Sequence, residues 1–186
     1  MTHCFDANLA FSLGEREAID LEVIKQSIPG CVSVIKTDTE IDKTGIDYVA
    51  TLRRGATINI DAKTRKPNSS KYWCNGEPEL ALEKWSVVPD NKCAGKVGWT
   101  LSESSQLDMV LYTFDKTDSD QFYLIPFQNL RTAFIRNMPQ WAAKYGWKRQ
   151  RSDGWTIFNN WKSEAMFVPA SVVIEAVKQT MIGRNP

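Results

Sequence analysis

The sequence predicts an α/β fold, and three patterns support this prediction. Two runs of alternating apolar and polar residues, joined by a turn, cover residues 44–65 and indicate paired strands. A nearly continuous apolar run over residues 107–114 is typical of a buried central strand. Apolar residues at helical spacing over residues 129–145 indicate an amphipathic helix. The chain has 186 residues and no internal repeat, so we predict a single domain over residues 1–186.

The first predicted helix begins near Ser12, a candidate N-cap, and ends at Pro29-Gly30. Its apolar face carries Leu21, Ile24 and Ile28 at helical spacing, and Glu17 lies on the same stripe. A first strand is predicted over residues 31–35, followed by a polar connection over residues 36–43. The helix should therefore turn Glu17 towards the sheet.

The alternating runs of residues 44–65 predict a β-hairpin whose turn contains Arg53-Arg54-Gly55. One face of the hairpin is apolar, and the other carries Asp47, Asp61 and Lys63. Because side chains alternate along a strand, Asp61 and Lys63 must lie on one side, about 6–7 Å apart along the strand. We expect all three charged side chains to meet at one end of the hairpin.

Two carboxylates beside a lysine suit the hydrolysis of phosphodiester bonds. Carboxylate oxygens are the hard ligands that Mg²⁺ prefers, and Mg²⁺ usually takes one or two of them together with water and substrate phosphate. A lysine one pleat away can orient or deprotonate the attacking water, or stabilise charge on the phosphate. The residue pattern therefore predicts a metal-assisted phosphodiester hydrolase.

The hairpin resembles that of the PD-(D/E)XK nuclease superfamily, which has an acidic residue on one strand and an acid-x-Lys tripeptide on the next. The matching residues here are Asp47, within Gly45-Ile46-Asp47, and Asp61-Ala62-Lys63. Ile46 stands where the motif name has proline, and Asp61 stands where glutamate is commoner. The resemblance covers mainly residues 15–65, within a core motif region of residues 12–65.

This resemblance implies a restriction-endonuclease-like, Holliday-junction-resolvase-like αβββαβ core, with a mixed central sheet flanked by helices. It implies a Mg²⁺- or Mn²⁺-dependent deoxyribonuclease in which Asp47 and Asp61 hold the metal and Lys63 positions water. Glu17 would be a third metal ligand, because superfamily members often place a glutamate on the helix before the hairpin; Glu22 is the second choice. The predicted hairpin and helix over residues 146–183 would be an extension of this core.

The rest of the chain is consistent with an α/β domain. Residues 72–92 are assigned no strand, and Glu83 is a candidate for a further acid beside the metal, although a place on a surface helix is favoured. The helix over residues 129–145 is expected to break or restart near Pro139. Asp108 is a further candidate for the active-site end of the sheet. The other predicted elements are strands at 99–101, 107–114 and 122–126 (the last an edge strand because of Pro126), a hairpin over 146–158 with its turn at Asp153-Gly154, and a final helix from Pro169 to about Met181.

Basic residues form two groups that are candidates for contact with nucleic-acid phosphates. The net charge is only +1, so such a surface must arise from local segregation of charge. The second group is interleaved with tryptophans, a pattern that can combine phosphate contact with base stacking, although packed tryptophans and solvated basic side chains are an open alternative. The candidates are Arg53, Arg54, Arg65, Lys66 and Lys71, and then Lys148, Arg149 and Arg151.

Composition excludes several other classes of site. His3 is the single histidine, so Ser/His or Cys/His catalysis is not expected. The four cysteines form no Cys-x-x-Cys pair, so a structural zinc site is not expected. We expect free thiols in a reducing cytoplasm, DNA as the partner, no membrane, and a homodimer as an open alternative.

Two other functions stay open at this point. The chain can be a catalytically inactive module of the same fold that binds nucleic acid or a protein partner. It can also be an α+β interaction protein in which the acid-x-Lys match is coincidental. The last interpretation predicts that Asp47 and Asp61 lie far apart in space.

Overall fold

A computed structural model describes residues 17, 20–38, 45–65, 76–91, 93–103, 105–114, 122–151 and 162–182. It confirms the α/β class, because the described residues form helices and two β-sheets. They divide into two compact units, and the prediction of a single domain stays a prediction. Unit 1 comprises residues 1–64, 106–113 and 121–124, and unit 2 comprises residues 65–105, 114–120 and 125–186. Among the described helices, none is both long enough and apolar enough to cross a bilayer.

Unit 1 contains helix α1 (residues 20–27, with residue 17 also helical) and the five-stranded sheet. Its strands are β1 (Cys31–Lys36), β2 (Tyr48–Leu52), β3 (Thr57–Arg65), β6 (Met109–Phe114) and β7 (Phe122–Pro126). They lie in the order β1-β2-β3-β6-β7, so β7 is at an edge as predicted and β6 is internal. β1 and β2 pair antiparallel, as do β2 and β3.

The predicted hairpin of β2 and β3 is confirmed. Tyr48 pairs with Ile60 at one end of the ladder, and Leu52 N–H donates to the carbonyl oxygen of Ala56 across the turn, at 2.8 Å. Gly55 has a φ of 80°. That left-handed conformation strains residues with a side chain, so glycine suits this turn position.

β6 runs parallel to β3, which makes the sheet mixed. Asp108 N–H donates to the carbonyl oxygen of Asn59 at 3.0 Å, and the Thr64 and Thr113 hydroxyl groups lie 3.4 Å apart. Both pairs are separated by 49 residues. A constant separation along two strands is the register of a parallel pair, since an antiparallel register keeps the sum of residue numbers constant. Parallel pairing of distant segments is invisible to local periodicity.

The core of unit 1 lies between α1 and one face of the sheet. Ile24 and Ile28 of the helix belong to one buried cluster with Tyr48, Ile60 and Leu111 of the sheet. Fully burying an aliphatic side chain of this kind contributes about 1.5–3 kcal/mol. Packing rather than helix propensity therefore holds the described part of this helix in place.

Unit 2 contains a four-stranded sheet in the order β5-β4-β9-β8 and two helices that contact it. β9 pairs antiparallel with both β4 and β8. Leu80 of β4 and Met166 and Val168 of β9 are fully buried. The elements are β4 (Glu79–Val87), β5 (Lys96–Val97), β8 (Lys148–Arg151), β9 (Lys162–Pro169), α2 (Phe127–Tyr145) and α3 (Ala170–Ile182).

The predictions for residues 79–87 and 99–101 are wrong. Glu83 lies in strand β4, not on a surface helix. Trp99–Leu101 is a 3-10 helix, not a strand. Two long-range contacts explain this turn: Glu83 N–H donates to the Thr100 hydroxyl at 2.9 Å, and Gly98 N–H donates to the carbonyl oxygen of Lys84 at 2.8 Å. The backbone approaches so closely that a Cβ on Gly98 would lie 2.4 Å from the Glu83 carbonyl oxygen.

α2 continues through Pro139 instead of breaking there. The proline lacks the N–H that would donate to the carbonyl oxygen of Ile135. Pro139 is exposed and Ile135 is 42% exposed, so water can solvate that carbonyl group. β9 was not predicted, whereas β1, β6, β7, α3 and the end of α1 are confirmed. The predicted turn at Asp153-Gly154 and helix start at Ser12 lie outside the described residues.

Candidate active site

The β2–β3 register brings Asp47 and Asp61 together. Asp47 directly precedes β2, and its N–H donates to the carbonyl oxygen of Ile60 at 2.9 Å. The Asp47 carboxylate accepts a hydrogen bond from Ala62 N–H, with 2.6 Å between Oδ2 and N. The two acids therefore lie at the same end of the hairpin, and the prediction that they lie far apart in space is wrong.

Lys63 lies directly beside Asp61. The distance from Lys63 Nζ to Asp61 Oδ1 is 2.7 Å, which is a charge-assisted hydrogen bond. Asp61 is 2% exposed, whereas the Lys63 side chain is 32% exposed. The alternation predicted for β3 accounts for this contact, because residues two apart on a strand project to the same side.

The Asp61 carboxyl group has a raised pKa. Burial raises its pKa from 3.8 to about 7, because removal from water penalises the charged form. The Lys63 ammonium group opposes this rise in pKa, while hydrogen bonding and repulsion from Asp47 add to it. Near neutral pH the group therefore changes charge readily, and a cation bound beside it would favour the ionised form.

Tyr48 connects the hairpin to α1. Its hydroxyl group donates to Asp20 Oδ2 at 3.1 Å, and both residues are buried. Burial and the neighbouring Asp20 carboxylate raise the Tyr48 pKa well above its usual range, with smaller contributions from Glu17 and Asp47. Sequence reasoning missed Asp20. Asp20 lies four residues before Ile24, so helical spacing places it on the buried face of the helix, and this spacing could have indicated its burial.

The structure does not bring Glu17 into a three-carboxylate group with Asp47 and Asp61. Glu17 Oε2 lies 2.9 Å from Lys36 Nζ, and the Glu17 side chain is 37% exposed. Among the described residues, no group of three or more His, Cys, Asp or Glu side chains is placed to hold a metal ion. Glu22 is exposed and accepts a hydrogen bond from Gln26. Metal binding by Glu17 therefore stays a prediction, which requires its carboxylate to exchange Lys36 for the metal.

Within the first group of basic candidates, Arg53 and Arg54 lie away from this site. Arg53 and Arg54 are exposed in the turn at the far end of the hairpin, about 17 Å along the strand from Asp47. Arg65, the last residue of β3, belongs to unit 2, and its guanidinium carbon lies 4.5 Å from the centre of the Phe167 ring of the same unit. Lys66 and Lys71 lie outside the described residues.

The second basic group lies on β8, an edge strand of the unit 2 sheet. Lys148 Nζ is 4.9 Å from the centre of the Phe167 ring. Arg149 Nε donates to the buried Glu164 carboxylate at 2.8 Å, yet the Arg149 side chain is 62% exposed. The backbone of Arg151 belongs to β8, and its side chain lies outside the described part. The exposed side chains described on β8 are therefore cationic or neutral.

Two further acidic candidates have structural partners. Asp108 Oδ2 accepts the Asn59 N–H at 2.8 Å and so joins β6 to β3 at the entry of β6. Glu83 Oε2 accepts hydrogen bonds from the Ser86 hydroxyl at 2.6 Å and from Trp99 N–H at 3.3 Å. These hydrogen bonds account for the positions of both carboxylates, so neither carboxylate needs a catalytic role to explain its place in the structure.

The donor set of Asp47 and Asp61 fits one Mg²⁺ or Mn²⁺ ion. Mg²⁺ is usually held by one or two carboxylates, with water and substrate phosphate completing its shell. Burial raises the pKa of Asp61, so a bound cation would have to stabilise the ionised carboxylate against the cost of its removal from water. Comparison of the chain with protein-family models, with curated proteins and with solved structures gives no match.

Proposed function

We propose that the chain is a Mg²⁺-dependent nuclease that hydrolyses phosphodiester bonds in DNA, with Asp47, Asp61 and Lys63 as its active-site residues. One observation carries this proposal: two carboxylates and a lysine meet at one end of the β2–β3 hairpin, with Asp61 buried against Lys63. Hard oxygen ligands beside an ammonium group are suited to the chemistry of a phosphate ester.

The αβββαβ core of the PD-(D/E)XK superfamily is part of the same proposal. α1, β1, β2 and β3 follow one another in the order of that core, and β6 lies beside β3 in the sheet. The described residues between β3 and β6 form β4, β5 and the 3-10 helix, where the core order has a helix. Support for this core therefore comes from its first four elements and from β6.

Asp47 and Asp61 would hold the metal ion, which supplies charge stabilisation at the phosphate and lowers the pKa of a bound water. The hydrogen bond from Ala62 N–H fixes the direction of the Asp47 carboxylate. The Lys63 ammonium group has three N–H donors, so it can hold Asp61 and also orient a water or a phosphate oxygen.

Exposed cations of β8 would supply contacts with DNA phosphates. Glu164 holds the Arg149 guanidinium group by one N–H, and a guanidinium group has five such donors. Phosphate contacts position a nucleic acid without reading its sequence. We therefore expect Lys148 and Arg149 to contribute affinity rather than sequence preference.

The alternative is a catalytically inactive module that binds nucleic acid or a protein partner. Two observations favour it: the described part of the chain holds a pair of carboxylates rather than a group of three, and Lys63 and Ala62 N–H already occupy oxygens of that pair. Such a site can persist for structural reasons alone.

Cleavage of labelled linear, circular and single-stranded DNA, with Mg²⁺, Mn²⁺ or chelator, tests the proposal. Asp61→Asn and Lys63→Ala are expected to abolish metal-dependent cleavage while the proteins stay folded by circular dichroism. Lys178→Ala removes an exposed lysine of α3 and serves as the matched control. Cleavage that survives Asp61→Asn contradicts the proposal. Binding without cleavage, equal in wild type and Asp61→Asn, supports the inactive module.

A further inference from the structure

Thr37 makes three contacts with the backbone that carries Asp47. It directly follows β1, and its hydroxyl group donates to the carbonyl oxygen of Ile46. The same hydroxyl oxygen lies 3.1 Å from the carbonyl oxygen of Asp47. Thr37 N–H also donates to the Asp47 carbonyl oxygen, at 2.9 Å.

The Ile46–Asp47 peptide needs such an anchor because it lies beyond the regular ladder. The pairing of β1 with β2 ends at Lys36 and Tyr48, so Asp47 precedes the first paired residue of β2. On the β3 side, Asp47 N–H is held by the carbonyl oxygen of Ile60. On the β1 side, Thr37 lies opposite Asp47, one residue beyond the end of β1, and its N–H and hydroxyl groups supply the contacts with the Ile46 and Asp47 carbonyl groups.

The direction of the Asp47 carboxylate depends on this backbone. Its Oδ2 accepts Ala62 N–H at 2.6 Å, and Ala62 lies between Asp61 and Lys63. An aspartate has a short side chain, so a small rotation of the Ile46–Asp47 peptide would move the carboxylate away from that N–H group. A hydroxyl group that holds the peptide therefore also holds the carboxylate.

We propose that the Thr37 hydroxyl group positions Asp47, by holding the Ile46–Asp47 peptide so that the carboxylate meets Ala62 N–H and faces Asp61. Thr37 is a positioning residue, because it acts through Asp47. The consequence for metal binding rests on the proposed nuclease function, whereas the consequence for the Ala62 hydrogen bond does not.

Three variants of the full chain separate positioning from general stabilisation. Thr37→Val keeps the shape and the N–H group but removes the hydroxyl group, and Thr37→Ser restores the hydroxyl group. Thr51→Val is the matched control, because Thr51 is half-buried at the other end of β2. The first readout is hydrogen exchange of the Ala62 amide by NMR. The reference is the Ile28 amide, which donates to the Ile24 carbonyl oxygen at the end of α1. The second is Mn²⁺ affinity by calorimetry, without DNA.

Thr37→Val is expected to speed Ala62 exchange and to weaken Mn²⁺ binding, each about fivefold, the size of one neutral hydrogen bond. Thr37→Ser should lie close to wild type in both. Ala62 exchange that is no faster in Thr37→Val than in Thr51→Val overturns the inference, as does a serine variant that behaves like valine. A wild-type protein that binds no Mn²⁺ refutes the proposed function, and the Ala62 exchange rate then still decides the role of Thr37.

Discussion

Replacing Asp61 by asparagine is expected to remove the pH dependence that this buried carboxyl group gives to folding. Its pKa is raised from 3.8 to about 7 by burial, so the folded protein keeps this proton where the unfolded chain releases it. The free energy of unfolding therefore falls as the pH rises from 3.8 to about 7, and the whole loss is present above that window. Asparagine carries no such proton, so the variant should lack this slope.

The magnitude follows from the difference in pKa. A rise of about 3 pKa units corresponds to roughly 4 kcal/mol, since each unit is about 1.4 kcal/mol. Asp61 is 2% exposed, so solvent screening does not reduce this figure. A measurement from about pH 5 to pH 8 covers roughly two pH units of this titration range. Over that interval the unfolding free energy of wild type should fall by about 2–3 kcal/mol relative to that of the variant.

Urea unfolding over this pH range, at constant ionic strength and with chelator, measures the shift. Glu22→Gln removes one exposed negative charge from α1 and controls for the change in net charge. The informative quantity is the difference in unfolding free energy between wild type and Asp61→Asn as a function of pH. If that difference stays constant from about pH 5 to pH 8, burial does not raise the Asp61 pKa and the reasoning is refuted.

Three further predictions concern the metal, the basic strand and the 3-10 turn. At pH 8, Mg²⁺ at about 100 times its Kd should raise the unfolding free energy of wild type by about 2.7 kcal/mol; an equal rise in Asp61→Asn would place the ion elsewhere. Arg149→Ala should weaken DNA binding and reduce the slope of log affinity against log salt concentration by about 1. Arg136 is an exposed arginine of α2, and the control variant Arg136→Ala should change neither the affinity nor the slope. Gly98→Ala should lower the unfolding free energy by at least about 1–3 kcal/mol, because its Cβ would lie 2.4 Å from the Glu83 carbonyl oxygen; an unchanged urea midpoint would contradict that clash.

The sequence alone predicts those features that depend on neighbours along the chain. The alternation of residues 46–63 is enough to predict the hairpin and to place Asp61 and Lys63 on one side of β3. Pro29-Gly30 marks the end of α1 for a similar reason, since proline restricts the backbone and Gly30 adopts a left-handed φ of 78° that ends a helix. Asp47 could be placed beside Asp61 because a short turn sets the register of a hairpin.

Features that depend on distant partners could not be predicted in this way. Glu17 and Asp20 are both helical, but packing of Ile24 and Ile28 on the sheet buries Asp20 and leaves Glu17 with Lys36. The 3-10 turn depends on hydrogen bonds to β4, which no local pattern encodes. α2 continues through Pro139, and both Pro139 and Ile135 lie on an exposed part of the helix, which the local sequence does not specify.

At the candidate site, too, some features follow from the sequence and others only from the tertiary structure. The identities and spacing of Asp47, Asp61 and Lys63 are properties of the sequence, and they indicate metal-assisted hydrolysis. Only the tertiary structure decides that Asp61 is buried and that Thr37 holds the peptide before β2. The physical reason is that the pKa of a carboxyl group is set by solvent and charges around it in space, and these come from segments that are far apart along the chain.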